Sequence, residues 1–291
     1  MPHYILTITC PSRIGIIAAI SGYLSEKGWN ILDISQFDDL NTQKFFMRVY
    51  FNLEKDVCLE KLVMDFKPIA EKLSLKISIR NAKESMNTLI LVSRSDHCLH
   101  DLLYRWKTGT LSINIIGIIS NHPDHQQLVA SCNIPFHYIP VMAHNKEKAD
   151  KKLIDIIEKN NVELLILARY MQILSDKTCL KMSGRIINIH HAFLPSFKGA
   201  NPYQQAYECG VKLIGATAHY VTPILDEGPI IEQDTVRVTH AQSIGDYIAI
   251  GRDIESRVLA HAVKAHTQYR VFINGGKTVV FPAGSGSYSS K

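Results

Sequence analysis

No window of this 291-residue chain approaches 18 uninterrupted apolar residues, so the sequence offers no membrane-spanning helix. The first residues, MPHYILTITCPSR, lack the charged start and long apolar stretch of a signal peptide. Charge of one sign is in short supply: the net charge is +5, spread along the chain with no basic arm or tail. That speaks against a nucleic-acid binder and leaves room for a small anionic ligand. The six cysteines stand apart as Cys10, Cys58, Cys98, Cys132, Cys179 and Cys209. With no C-x-x-C pair, neither a disulfide framework nor a zinc knuckle is expected, and a reducing cytoplasm is the expected location. Also missing are G-x-x-x-x-G-K-[ST], G-x-G-x-x-G after a strand, G-x-S-x-G and H-E-x-x-H. Their absence argues against ATPases, nicotinamide enzymes, nucleophile-elbow hydrolases and zincins.

What is present divides in two. Through residue 82 the pattern reads β-α-β-β-α-β, a ferredoxin-like plait. Tyr4, Leu6, Ile8 and Cys10 alternate as a half-buried strand,. Ser12 is placed to cap a helix carrying Ile16, Ile20, Tyr23 and Leu24 on one face,. Gly28 ends it, and a hairpin turning at Asp39–Thr42 leads into Phe45, Met47, Val49 and Phe51,. A second helix and a strand through Leu75, Ile77 and Ile79 complete the unit.

From residue 86 to 281 the style changes to nearly continuous apolar runs separated by helical stretches. The runs lie at 88–92, 113–119, 163–167 and 185–189. Buried parallel strands with crossover helices look like this, so an α/β, Rossmann-like domain with a mostly parallel sheet is expected. Two more strands are expected at 213–221 and 229–236, and Ser243–Asp246 opens a long helix with a capping box,. Residues 282–291 carry no packing signal and are expected to form a disordered tail,.

Chemistry-bearing residues concentrate at Asn188-Ile189-His190-His191, at the end of an expected strand. Asn188 and His190 then point the same way, at the strand end where open parallel sheets bind ligands. Asp226 stands in a Gly/Pro-bounded loop after the next strand. An Asn donor, a proton-shuttling His and a water-activating Asp suit attack on an acyl carbon. The same three residues are also compatible with a strand exit and surface polars. A metal set of His190, His191 and His219 is disfavoured because adjacent strand residues face opposite ways.

The runs INIHHAFLPSFKGANPYQQAYECG (187–210), GATAHYVTPILDEGPII (215–231) and LARYMQIL (167–174) together resemble the formyltransferase domain that handles 10-formyltetrahydrofolate. The resemblance implies catalysis by Asn188, His190 and Asp226, with no metal and no cofactor. It implies folate contacts from Tyr170, Met171, Gln172, Ile173, Leu174, Val221, Thr222 and Leu225, with Arg94 and His137 as liners of an acceptor side. Where glycinamide-ribotide transformylases carry a glycine-rich phosphate loop, this chain reads Val92-Ser93-Arg94-Ser95-Asp96-His97-Cys98. It also has Gly199-Ala200-Asn201-Pro202-Tyr203-Gln204 where they carry a histidine-containing stretch.

The first unit, through Cys10–Ile17 and Gly28–Ile31, resembles an ACT domain, which implies an amino-acid effector at Arg13, Ile14, Gly15, Ile16, Asn30 and Ile31. Ser12 stands where an Asp is common, so a plait used only for oligomerisation remains open. An ACT domain followed by a formyltransferase domain is the arrangement of the formyltetrahydrofolate deformylases. That resemblance implies hydrolysis of 10-formyltetrahydrofolate to formate and tetrahydrofolate by a homo-oligomer, supplying formate for purine synthesis and balancing one-carbon pools. Formyl transfer to an amine acceptor is the alternative.

Overall fold

The structure, a computed structural model, describes residues 1–54, 57–195 and 202–284. Gly199, Ala200 and Asn201 of the motif above, and the tail from residue 285, lie outside the described residues. The chain forms two compact units. The first comprises Met1–Glu84 with Gln268–Asn274 and the described residues from Val279, and the second is built on Ser85–Thr267.

In the first unit the order is β1 (His3–Pro11), α1 (Ile16–Glu26), β2 (Asn30–Asp39), β3 (Lys44–Asn52), α2 (Leu59–Leu73) and β4 (Lys76–Asn81). The four strands form a sheet in the order β2-β3-β1-β4, paired antiparallel. Alternation puts Tyr4, Leu6, Ile8 and Cys10 on the face that meets Ile16, Ile20 and Leu24 of α1 and Leu62 and Phe66 of α2. Trp29 stacks on Phe51 with ring centroids 5.5 Å apart.

Ser12 does not cap α1. Its hydroxyl donates to Asp38 Oδ2 at 2.8 Å, and Gly15, at φ +91°, takes the N-cap position. The left-handed backbone there suits glycine because a Cβ would be strained in it. A second difference lies on the opposite face of β3. Phe46 is buried there by Phe272 and Phe281, and Arg48 Nε donates to the Gln268 carbonyl at 3.0 Å. These partners come from the end of the chain, where β12 (Val271–Asn274) and β13 (Lys277–Val280) form a two-stranded hairpin. The second domain expected at 86–281 includes these residues. The residues that bury Phe46 belong to the first unit because the sheet needs a cover on both faces.

The second unit contains β5 (Met86–Val92), α3 (His97–Lys107), β6 (Ile113–Ser120), α4 (Gln126–Ala130), β7 (Phe136–Tyr138), α5 (Lys146–Lys159) and β8 (Leu164–Leu167). After these come α6 (Asp176–Lys181), β9 (Ile186–His190), α7 (Pro202–Glu208), β10 (Leu213–Tyr220), β11 (Ile230–Arg237) and α8 (Ile244–Thr267). The sheet order is β11-β10-β9-β8-β5-β6-β7. Strands β5 to β9 are parallel, and β10 runs against both β9 and β11. Leu89, Leu91, Leu165, Leu167 and Ile186 bury one face of the sheet against Leu153 and Ile157 of α5. The strands wind outward one way to β7 and then resume at β8 on the other side of β5. Ligands bind at such a reversal, beyond the carboxyl ends of the strands. The expected capping box holds α8: Ser243 N donates to Asp246 Oδ2 at 2.7 Å, and Asp246 N to Ser243 Oγ at 3.2 Å.

Beneath β10, the Tyr220 hydroxyl donates to His266 Nδ1 at 2.7 Å. Burial pushes His266 down to about 4 and raises Tyr220, so the donor keeps its proton and the ring stays neutral. The unfolded chain binds this proton more readily than the folded one. Its stabilising contribution is therefore full above an unfolded pKa of about 6.5 and is lost as pH falls toward 4. The expected melting curve loses roughly 1.4 kcal/mol of stability for each pH unit crossed in that window. In His266→Gln that portion of the pH dependence is expected to flatten, which calorimetry between pH 7 and 4.5 checks.

Candidate active site

Two loops and one strand end build a crevice of about 400 Å³. After β8 the chain turns through Ala168 and Arg169, the latter left-handed at φ +64°, into Tyr170–Leu174. Ser93, just beyond β5, fixes this turn: its N–H donates to the Arg169 carbonyl at 3.2 Å, and its hydroxyl accepts from Met171 N at 3.0 Å. The same hydroxyl donates to Asn121 Oδ1 at 2.7 Å. Neither Ser93 nor Asn121 is among the residues expected in the site from sequence. Their positions just after two neighbouring parallel strands are the signal that points to them.

The second loop, Val221–Asp226, follows β10. Val221 N donates to the Ile186 carbonyl at 2.9 Å, and Thr222 Oγ1 to the Ile224 carbonyl at 3.0 Å. Asp226 is left-handed at φ +54°, a conformation Asp tolerates better than most residues. The loop folds back so tightly that a Cβ on Gly228 would run into the Tyr220 carbonyl.

Asn188, His190, Asp226 and all eight expected folate contacts line the crevice. Met171, Ile173 and Leu225 expose about 60% of their surface (59%, 60% and 60%), an apolar rim that a flat ring system would cover. Tyr170 and Leu174 also pack onto the core cluster under the sheet, so they are partly structural. Arg94 and His137 line neither this cavity nor its neighbour described below. His137 instead packs against Gly117. Of the expected effector contacts in the first unit, Ile14 is fully exposed, whereas Ile16 is buried in the core and Ile31 packs against it. The Ile16 side chain therefore has little free surface, while Ile31 stays partly exposed.

The polar geometry follows from strand register. Asn188 pairs with His219 across β9 and β10, and His190 with Thr217. His219 Nδ1 lies 2.9 Å from the Tyr220 carbonyl, which only accepts, so the ring proton sits there. Burial lowers the His219 pKa, leaving Nε2 unprotonated. Asn188 Nδ2 donates to that nitrogen at 3.3 Å, so the amide orientation is set and one N–H remains for a ligand. His219 opens the polar stretch that leads to Asp226 and has no expected role of its own beyond the disfavoured metal set. The structure makes it the group that aims Asn188.

His190 is 5% exposed. Its Nδ1 lies 3.4 Å from Asp226 Oδ1, while its buried Nε2 has no partner. The His190 hydrogen bond, and then the charges of His190 and His219, outweigh burial and hold the Asp226 carboxyl below the usual carboxylate range. His191 does not turn to the opposite side as strict alternation requires. It lies just past β9, with its ring 5.3 Å from that of His190, and lines the crevice too. Burial pushes it down to about 3, so it stays neutral. Among the described residues, His190, His191 and His219 do not bring ligand atoms together as a metal set. His97, Cys98 and Glu255 do.

A carboxylate–imidazole pair lining the same crevice as an aimed amide donor has the groups that activate a nucleophile and stabilise an oxyanion. Residues 86–263 match the formyl transferase family model, which fits the fold and the site. The formyltetrahydrofolate deformylase of Corynebacterium sp. (strain P-1) is 45% identical over 96% of this chain and 98% of that protein. That of Bacillus subtilis is also 45% identical, over 95% and 93%. A crystal structure of a formyltetrahydrofolate deformylase from Pseudomonas syringae superimposes with a TM-score of 0.94 at 42% identity, covering 97% of this chain and 95% of that one. A glycinamide ribonucleotide transformylase from Symbiobacterium toebii covers only 68% of the chain, at 26% identity and a TM-score of 0.64. The chain belongs to the formyltetrahydrofolate deformylase family.

The tight return at Gly228 makes a direct test of the loop. Gly228→Ala is expected to displace Asp226 and lower kcat on the order of 100-fold, the usual effect of a misplacement near 1 Å. Steady-state kinetics with a thermal melt checks this, and an unchanged kcat in a folded variant would show that the close approach does not position Asp226.

Proposed function

We propose that this crevice hydrolyses 10-formyltetrahydrofolate to formate and tetrahydrofolate, using Asn188, His190 and Asp226. The observation that carries the assignment is the His190–Asp226 pair, 3.4 Å apart, with its unpartnered Nε2 beside the aimed Asn188 amide. The apolar rim of Met171, Ile173 and Leu225 covers the pterin, and the Tyr170–Leu174 and Val221–Asp226 backbones offer groups to its polar edge. The formyl carbon then lies toward His190. Water adds to that carbon while the Asp226–His190 pair polarises it and takes up its proton. The free Asn188 N–H and a protonated His190 stabilise the tetrahedral oxyanion. The C–N bond breaks, N10 takes a proton returned through His190 or a relayed water, and formic acid leaves as formate after losing its proton. The proposal uses no cofactor and no metal, since a formamide carbon is small and electrophilic enough for activated water. Formyl transfer to an amine is not favoured.

The first unit, in this reading, is an ACT domain, with the exposed turn Arg13-Ile14-Gly15 and Asn30 as its effector-facing residues. Pairing between copies of the unit is supported by the edge strand β2, where Leu32, Ile34 and Phe37 stay 43%, 40% and 45% exposed. An exposed apolar edge strand is a ready template for pairing with another chain. A cytoplasmic location fits the free cysteines,. Release of formate there would feed purine synthesis and balance one-carbon pools.

The purified protein is expected to release formate from 10-formyltetrahydrofolate without any added amine, and Asp226→Asn is expected to release none. Asn188→Ala should lose on the order of 10²–10³ in kcat, the usual effect of removing one oxyanion donor. A formate assay measures both, and turnover that depends on an amine would overturn the hydrolytic reading. Sedimentation is expected to show a homo-oligomer, and a monomer at all concentrations would refute the pairing of β2.

A further inference from the structure

A second cavity, also of about 400 Å³, adjoins the catalytic crevice and shares Arg169 and His191 with it as a common wall. Its chemistry differs from that of the apolar folate crevice. Ser95, Gln204 and the guanidinium groups of Arg169 and Arg252 line it, and all of these donate hydrogen bonds. Arg169 is a left-handed residue without the glycine or Asn/Asp chemistry that eases such a backbone, and strain of this kind clusters at functional sites. Its Nε–H is buried without a hydrogen-bond acceptor, although Glu255 Oε2 lies 3.3 Å away.

Glu255 itself is committed. It is 1% exposed, Oε1 accepts from the Tyr203 hydroxyl at 2.5 Å, and Oε2 lies 2.9 Å from His97 Nε2. Tyr203 reaches it by lying over Gly251, one turn earlier on α8, where a Cβ would collide with the ring. The site is therefore built, with a fixed carboxylate that offsets one of its two guanidinium charges. With both oxygens of Glu255 occupied and the Arg169 cation alongside, the His97–Cys98–Glu255 group is not offered as a metal site.

We propose that this cavity receives the formate product, held by the Arg169 and Arg252 guanidinium groups. The inference rests on the hydrolytic reading of the neighbouring crevice. Hydrolysis creates a new anion beside His190 while tetrahydrofolate still fills the apolar crevice, so formate leaves across the shared wall. A planar carboxylate fits a guanidinium fork. The partial neutralisation by Glu255 keeps the hold weak, as release requires.

The test titrates ¹³C-formate into the folate-free protein and follows line broadening. Broadening is expected with the wild type. It should require about tenfold more protein in Arg252→Gln, the usual worth of a charged hydrogen bond, and be unchanged in Arg237→Gln, which removes the same charge from β11. In turnover, formate is expected to inhibit noncompetitively against 10-formyltetrahydrofolate. The proposal is overturned by absent broadening, by equal binding in Arg252→Gln, or by strictly competitive inhibition, which would put formate in the folate crevice. Phosphate displacing formate at far lower concentration would also overturn it, marking a site for a different anion. Formate binding through Arg252 in a protein that hydrolyses nothing would sink the deformylase reading instead and leave a carboxylate site standing.

Discussion

The site depends on the antiparallel pairing of β9 with β10. The strands from β5 to β9 run parallel, and only β10 and β11 reverse direction. The reversal at β10 puts His219 directly opposite Asn188 and Thr217 opposite His190. Thr217 then serves the chain beyond β9, accepting from Leu194 N at 3.0 Å and donating to the Ala192 carbonyl at 2.9 Å. A slip of one residue would turn every one of these side chains to the other face. Ala216 and Ala218, on the opposite face of the same strand, are fully buried, so that slip would force Thr217 and His219 into space that holds only methyl groups.

Burial sorts the histidines into roles. His219, His191 and His266 are all pushed toward the neutral form, chiefly by loss of water. His190 alone among the histidines of the crevice has a carboxylate within 3.4 Å. Asp226 in turn is held below the usual carboxylate range first by its hydrogen bond with His190, against its own desolvation. The neutral rings of His191 and His219 flank the one ring in the crevice that is paired with a carboxylate at 3.4 Å.

Much of this was legible in the sequence, for identifiable reasons. Alternation in Tyr4–Cys10 and continuous apolar runs such as 88–92 report which faces are buried, so both sheets could be read directly. Asn188 and His190 were legible because they alternate at a strand end. Partners distant in sequence were not legible. Phe46 looks like one more strand residue until Phe272 and Phe281 cover it, and nothing local marks that contact across more than 200 positions. The short β7 escaped because three residues give too little period to read. Ser12 misled because its hydroxyl had a competing partner, Asp38, on another strand, which side-chain oxygens in such turns commonly find. His219 was visible, yet its role needs the register, which only the folded sheet supplies.

The backbone shows what the site costs the fold. Of the non-glycine residues with positive φ among the described residues, several close turns or helix ends, as Ser74 and Asn161 do. Arg169 and Asp226 are different, since both sit on loops that wall the crevice. Asp is one of the few side chains that visits this region readily, and at position 226 it supplies the carboxylate as well. Asn would ease the backbone equally but could not carry the charge that His190 pairs with, and Gly would carry no side chain at all. Arg169 lacks any such ease, so its conformation is held from outside, by the Ser93 N–H on its carbonyl and by Glu255 beside its guanidinium. The strain at these two positions, of order 1–3 kcal/mol each, is offset by the packed sheet beneath. That sheet, from Leu89 through Ile186, is almost entirely dry, which lets it hold two unfavourable loop conformations in place above its strand ends.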